Sequence, residues 1–207
     1  SSLERDFTLG LTLDEHPAGA DSPRDLPAPL VGLVQVGFTD YQYQFLLRQL
    51  VWQVAIITGG RGMLGKEYTQ TLTAAGATVI PFDISGQNGV DITDEAGVQK
   101  AVKNIIRSHS RIDILINNAA MTDFSGFTES NRFGPYEDFS LAVWRKEIEV
   151  GLTGALICSK AVIPQMKKQQ SGVMVNISST HGLIAPDNRI YGEGKFKAVT
   201  YPVIKAG

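Results

Sequence analysis

Near its end the chain reads IYGEGKFKAVTYPVIKAG, residues 190–207, and twice a tyrosine stands four residues before a lysine: Tyr191 with Lys195, and Tyr201 with Lys205. Such a pair can move a proton. A free phenol has a pKa of about 10, too high for a base at neutral pH, and a nearby ammonium lowers it. Residues at i and i+4 share a face only on a helix. Gly192 and Gly194 separate the first pair, each costing about 1 kcal/mol in a helix relative to alanine, and DNRIYGEGKFK reads as a polar loop. The second pair has Thr200 as an N-cap and Pro202 in the first turn, where its missing N–H does no harm. The expectation is therefore Tyr201 with Lys205, residues 186–199 being an inserted loop.

A second candidate lies upstream. TGGRGMLGKEY follows an apolar run and opens a helical pattern, with glycines at 59, 62 and 65. Gly59 suits a tight turn, Gly62 a close approach to a pyrophosphate, and Gly65 close packing of helix on strand. The helix start, at Met63 and Leu64, then offers free N–H groups and partial positive charge to phosphates. Gly60 to Lys66 also reads G-x-x-x-x-G-K, but Glu67 stands where a nucleoside-triphosphate loop needs a hydroxyl for magnesium. Asp83, about twenty residues on, is placed to accept hydrogen bonds from adenosine ribose hydroxyls and to repel a 2′-phosphate. That favours NAD. Arg61 pulls toward NADP, since a guanidinium can pair with that phosphate.

These residues need a scaffold. QVAIIT, ATVIPFD, a short GVDIT, RIDILINNAA and GVMVNISS read as strands. Between them lie helices: MLGKEYTQTLTAAG, closed by Gly76; one capped by Thr93 and running to about Ser108; and one spanning 140–169, bent near its end by Pro164. The alternation predicts an α/β fold, a Rossmann-type doubly wound parallel sheet in three α/β/α layers. Residues 53–207 form this domain. Residues 1–52 are an extension of unassigned role, of which 1–29, acidic with four prolines, read as irregular. The 207 residues are 43% hydrophobic with a net charge of −2, which gives no reason to expect nucleic acid or an anionic membrane as partner. A single cysteine, Cys158 in an apolar stretch, fits core packing in a reducing compartment. No apolar run has the roughly 18–20 residues of a membrane span. The expectation is a soluble, cytoplasmic protein.

TGGRGMLG, VDITD, NNAA, VNISS and a Tyr-x-x-x-Lys stand in that order over residues 53–207, and this set resembles the short-chain dehydrogenase/reductase family. The resemblance implies hydride transfer between NAD or NADP and an alcohol or carbonyl. It implies that Asp91 and Ile92 contact the adenine, that Asn118, Ala119 and Ala120 line the cofactor, and that Ser179 holds the substrate oxygen. Tyr201 would exchange the proton, while Lys205 lowers its pKa and holds the nicotinamide ribose. Ser179 is preferred to Ser178 because the first serine should still belong to the strand, and His181 reads as a loop side chain beside the pocket. No metal is expected. Family spacing from Ser179 would point to Tyr191, against the helix argument.

Two departures stand out. Gly151 occupies the place of an asparagine that supports a proton relay in the family. The chain also stops two residues after Lys205, so the expected domain is C-terminally truncated within its catalytic helix. EVGLTGALICSK and LIAPDNRIY, with the inserted loop, resemble a subgroup linked to bacterial surface-sugar and flagellin-glycan pathways, which implies a sugar-like small-molecule substrate. The family resemblance, whose catalytic helix builds a dimer interface, implies a homo-oligomer for a full-length form. The alternatives are a non-catalytic dinucleotide-binding module and, more remotely, a P-loop nucleotide-binding protein.

Overall fold

The structure, a computed structural model, describes residues 50–86, 89–121 and 133–207. The readings made for residues 1–49 lie outside them. Four parallel strands form one sheet: β1 (Val54–Thr58), β2 (Thr78–Phe82), β3 (Ile114–Asn117) and β4 (Val173–Asn176), in the order β2-β1-β3-β4. Ile56 of β1 sits between Ile80 of β2 and Leu115 of β3, and Ile116 faces Val175 of β4. Helix α1 (Met63–Ala74) joins β1 to β2, and α2 (Glu95–His109) carries the chain across β1 to β3. The strand order therefore reverses between β1 and β3, and their C-terminal ends are where an open α/β sheet takes a ligand.

All five residues of β1 are buried, as a central strand covered on both faces requires. Val54 and Ile56, with Phe82 and Leu115, pack against Val98, Val102 and Ile105 of α2 and against Ile157, Val162 and Met166 of α4 (Gly154–Gln169). Ala55 and Ile57 alternate to the opposite face and are equally buried. Asp113 ties the start of β1 to β3. Its Oδ2 accepts hydrogen bonds from Val54 N–H at 2.9 Å and Arg111 Nε at 2.7 Å. At the edge of the sheet, all four residues of β4 are exposed.

Three local expectations fail for physical reasons. GVDIT is not a strand, because Asp91 Oδ1 accepts hydrogen bonds from the backbone N–H and the hydroxyl of Thr93, closing an Asx turn. Asp94, not Thr93, caps α2, accepting from Ala96 N–H at 3.1 Å. The single helix expected over 140–169 is α3 (Leu141–Ile148), one π-helical turn (Glu149–Thr153), and α4, with Pro164 inside α4. Gly151 lies in that turn, and Ile204 packs against it. A β-carbon there would stand 3.1–3.3 Å from Ile204 side-chain atoms. The last element, α5 (Thr200–Ala206), packs near this turn.

Candidate functional site

The glycine loop forms a cradle between β1 and α1. Gly59 has φ +63°, a conformation that favours glycine. A β-carbon on Gly65 would stand 2.0 Å from Gly59 O, so only glycine lets α1 start this close to the loop. Thr58, 1% exposed, anchors the facing loop. Its hydroxyl oxygen accepts hydrogen bonds from Asn118 N–H and Ala119 N–H, both at 3.0 Å. The Asn118 side-chain amide in turn donates to Thr58 O at 3.0 Å and Gly59 O at 3.3 Å.

A cleft of about 370 Å³ opens over these loops. Gly59, Gly62, Met63 and Leu64 line it on one side, Asp83, Asp91 and Ile92 on another, and Asn118, Ala119 and Ala120 at the end of β3. Gly65 lies beneath, buried. Arg61 lies beside it: its backbone N–H donates to Asp83 Oδ2 at 3.0 Å and its guanidinium donates to Ser85 O. Burial pushes the Asp83 carboxyl up. Hydrogen bonds from the Ser85 hydroxyl and N–H and from Arg61 N–H, with the Arg61 charge, outweigh this and hold it below the usual carboxylate range. Asp83 is therefore ionised at neutral pH. The cleft also takes Lys146 and Val150, which the sequence reading missed; they stand at i and i+4 on the stretch running from α3 into the π turn.

A second cavity of about 270 Å³ adjoins the cleft, since Ile92, Ala119 and Val150 line both. Lys205 lines it, and its ammonium donates to Ile177 O at 2.6 Å. Asn117, Ser159 and Asn176 add polar atoms: Asn117 Nδ2 donates to Asn176 Oδ1 at 2.8 Å and to Ser159 Oγ at 3.2 Å. Asn117 Oδ1 is buried without a partner. Asn117 and Asn176 lie in the NNAA and VNISS stretches, but neither they nor Ser159 were singled out from the sequence.

Tyr201 and Lys205 lie on α5, one turn apart, both half-buried. Tyr191 ends a 3₁₀ turn (Asn188–Tyr191), and Gly192 and Gly194 follow with φ of +90° and +68°, so no helix links Tyr191 to Lys195. Further contacts hold the seven-residue α5. Thr200, fully buried, donates its hydroxyl to Glu147, so it is no N-cap; that position is Val199. Ile204 packs on Gly151. Gly182 approaches Lys205 O so closely that a β-carbon would stand 2.3 Å away. The Ser178 hydroxyl donates to Lys205 O, and the His181 ring meets the Tyr201 ring edge-on with centroids 6.1 Å apart. Both serines lie beyond β4, which ends at Asn176. Ser179 Oγ accepts from His181 N–H at 3.3 Å and keeps its own proton to donate.

Residues 88–200 match the short chain dehydrogenase family. The match covers more than half of the chain, and the chain belongs to that family. An uncharacterized oxidoreductase YxjF of Bacillus subtilis is 33% identical over 150 residues, 64% of this chain and 55% of that protein. Among solved structures, gox2181 superposes with a TM-score of 0.65 at 27% identity, covering 79% of this chain and 65% of that one. The ligand-free aldohexose dehydrogenase of Thermoplasma acidophilum superposes with a TM-score of 0.62 at 26% identity, covering 76% and 58%. The chain spans about half the length of the curated relatives it matches. No described helix is long and apolar enough to cross a membrane.

Proposed function

We propose that the protein is an NAD-dependent oxidoreductase acting on an alcohol or carbonyl of a small, polyhydroxylated molecule. One observation carries this reading. Tyr201 and Lys205 share a face of α5, and Lys205 lines a cavity that adjoins the cleft over the glycine loop. The cleft suits the coenzyme on its own chemistry. The first N–H groups of α1 have no carbonyl within the helix to bond, which suits a pyrophosphate. Asp83, kept ionised, suits a diol and opposes a 2′-phosphate. The Arg61 guanidinium is committed to Ser85 O, which weakens the NADP reading.

Each residue then has a task. Asp83 accepts hydrogen bonds from the adenosine ribose. Asp91 and Ile92 border the adenine, while Asn118, Ala119 and Ala120 flank the rest of the coenzyme. When bound, the nicotinamide supplies or accepts the hydride. Ser179 donates a hydrogen bond to the substrate oxygen, and Tyr201 gives that oxygen its proton or takes it away. Lys205, which lines the adjoining cavity, holds the nicotinamide ribose. The likeness to an aldohexose dehydrogenase supports a sugar-like substrate. The buried cysteine and the absence of a disulfide agree with a cytoplasmic setting.

Fluorescence titration of the full-length protein with NADH and NADPH tests the cofactor half. NADH should bind about tenfold or more tightly than NADPH, and Asp83→Ala should erase the preference. Binding of neither nucleotide would refute the proposal. Oxidation of a panel of sugars and polyols, followed by nicotinamide absorbance, tests the other half.

A further inference from the structure

The loop before α5 carries a side chain with no part in the reading above. Lys197 Nζ stands 4.1 Å from the centroid of the Tyr201 ring and 5.9 Å from that of Tyr191. The backbone of this loop is held in place. Lys197 N–H donates to Asn188 Oδ1 at 3.0 Å, Phe196 N–H donates to Phe133 O at 2.7 Å, and Ala198 is buried. No carboxylate forms an ion pair with Lys197 among the described residues. The loop's Asp187 is taken by Arg189, at 2.7 Å and 2.9 Å, and Glu147, beneath α5, is buried and bonded by Thr200. Lys205, one turn along α5 from Tyr201, adds a second positive charge. His181 Nδ1, on the ring that meets Tyr201 edge-on, is buried without a partner.

A cation over a ring face is held less strongly than one paired with an anion through a charge-assisted hydrogen bond. Lys197 can therefore leave the ring for an anionic oxygen brought beside the Tyr201 hydroxyl. A neutral hydroxyl would not repay that move, because it offers no charge to the two cations. We propose that Lys197 is a specificity-determining residue that pairs with a carboxylate or phosphate on the substrate, close to the oxygen that Tyr201 serves, with His181 as a second polar contact. This inference rests on the oxidoreductase reading for its meaning, but its anion site stands apart from turnover.

The test uses the full-length protein labelled with ¹³C-tyrosine, the Tyr201 ring signal being identified by its loss in Tyr201→Phe. Malonate and inorganic phosphate are the probes, with sodium chloride at matched ionic strength as control. The Tyr201 signal should shift saturably with one of the two probes. A response to malonate alone assigns a carboxylate, and one to phosphate alone a phosphate. Lys197→Met should weaken that binding about tenfold or more, while Lys197→Arg keeps it within about threefold. Paired substrates give the kinetic readout: gluconate against glucose, and glucose 6-phosphate against glucose. Wild type should favour the charged member, and Lys197→Met should shrink that preference about tenfold, through KM rather than kcat. No saturable shift with either anion, or equal shifts in wild type and Lys197→Met, would overturn the proposal. A shift that depends on Lys197 in a protein that oxidises nothing in the panel would keep the anion site and count against the oxidoreductase reading.

Discussion

Removing one hydroxyl at the end of β1 should loosen both the sheet and the cleft. Thr58→Val keeps the shape and volume of the side chain but deletes an oxygen that accepts from Asn118 N–H and Ala119 N–H at 3.0 Å each. Thr58 is 1% exposed, so water does not readily replace that oxygen. Each donor left without a partner costs about 1–3 kcal/mol when buried. Asn118 and Ala119 are only half-buried, so the lower end applies and the sum is about 2 kcal/mol. For a chain of this size that lowers Tm by about 4–8 °C. Thr58→Ser separates the causes: it keeps the oxygen and loses one methyl group, at a cost of about 1 kcal/mol. Thermal unfolding followed by circular dichroism should rank wild type above Thr58→Ser, and Thr58→Ser above Thr58→Val. NADH affinity should fall in the valine variant, because the Asn118–Ala120 segment has lost its anchor. Thr58→Val as stable as Thr58→Ser, or more so, would refute the reasoning that the hydroxyl holds this loop.

Two further outcomes follow from packing and burial. Gly151→Asn, which restores the side chain common in the family, should crowd Ile204 and cost about 1–3 kcal/mol in urea denaturation; adding Ile204→Ala should recover part of that loss. Burial pushes the Cys158 thiol up to about 12, so it stays protonated in the folded protein while the unfolded chain ionises above about pH 8.5. The unfolded state then binds fewer protons, and stability should fall as pH rises from about 8.5 toward 12, by at most about 1.4 kcal/mol per pH unit. Urea midpoints at pH 7 to 10, wild type against Cys158→Ala, isolate that slope, and a thiol reagent should label the native protein only as fast as it unfolds.

Legibility in the sequence followed how local each feature is. The strands β1 to β4 were readable as short apolar runs, although only β1 is buried along its whole length, and the glycine cradle because its spacing sits between a strand and a helix. That Tyr201 and Lys205 share a helix while Tyr191 and Lys195 do not was readable because glycines and a first-turn proline act within a few residues. Part of what failed depends on partners distant in the chain. Thr200 was expected to cap α5, yet its hydroxyl goes to Glu147, 53 residues away. The π turn at Glu149–Thr153 arises where Ile204 and Ile92 press on Gly151 and Gly154, which no periodicity within the helix encodes. Asp91 bonds Thr93 and so replaces an expected strand with a turn, a local device that the apolar pattern concealed. Lys197 was one basic residue in a polar loop until the fold set it over the Tyr201 ring.

We assign the proton beside the nicotinamide to the phenol on α5, not to the one before the loop glycines. Single-turnover hydride transfer in Tyr201→Phe and Tyr191→Phe full-length proteins, each preloaded with coenzyme, measures this directly. The rate should fall about 10²–10⁴-fold in Tyr201→Phe with NADH affinity unchanged, and stay near wild type in Tyr191→Phe. A normal rate in Tyr201→Phe, or the loss appearing in Tyr191→Phe instead, would contradict it.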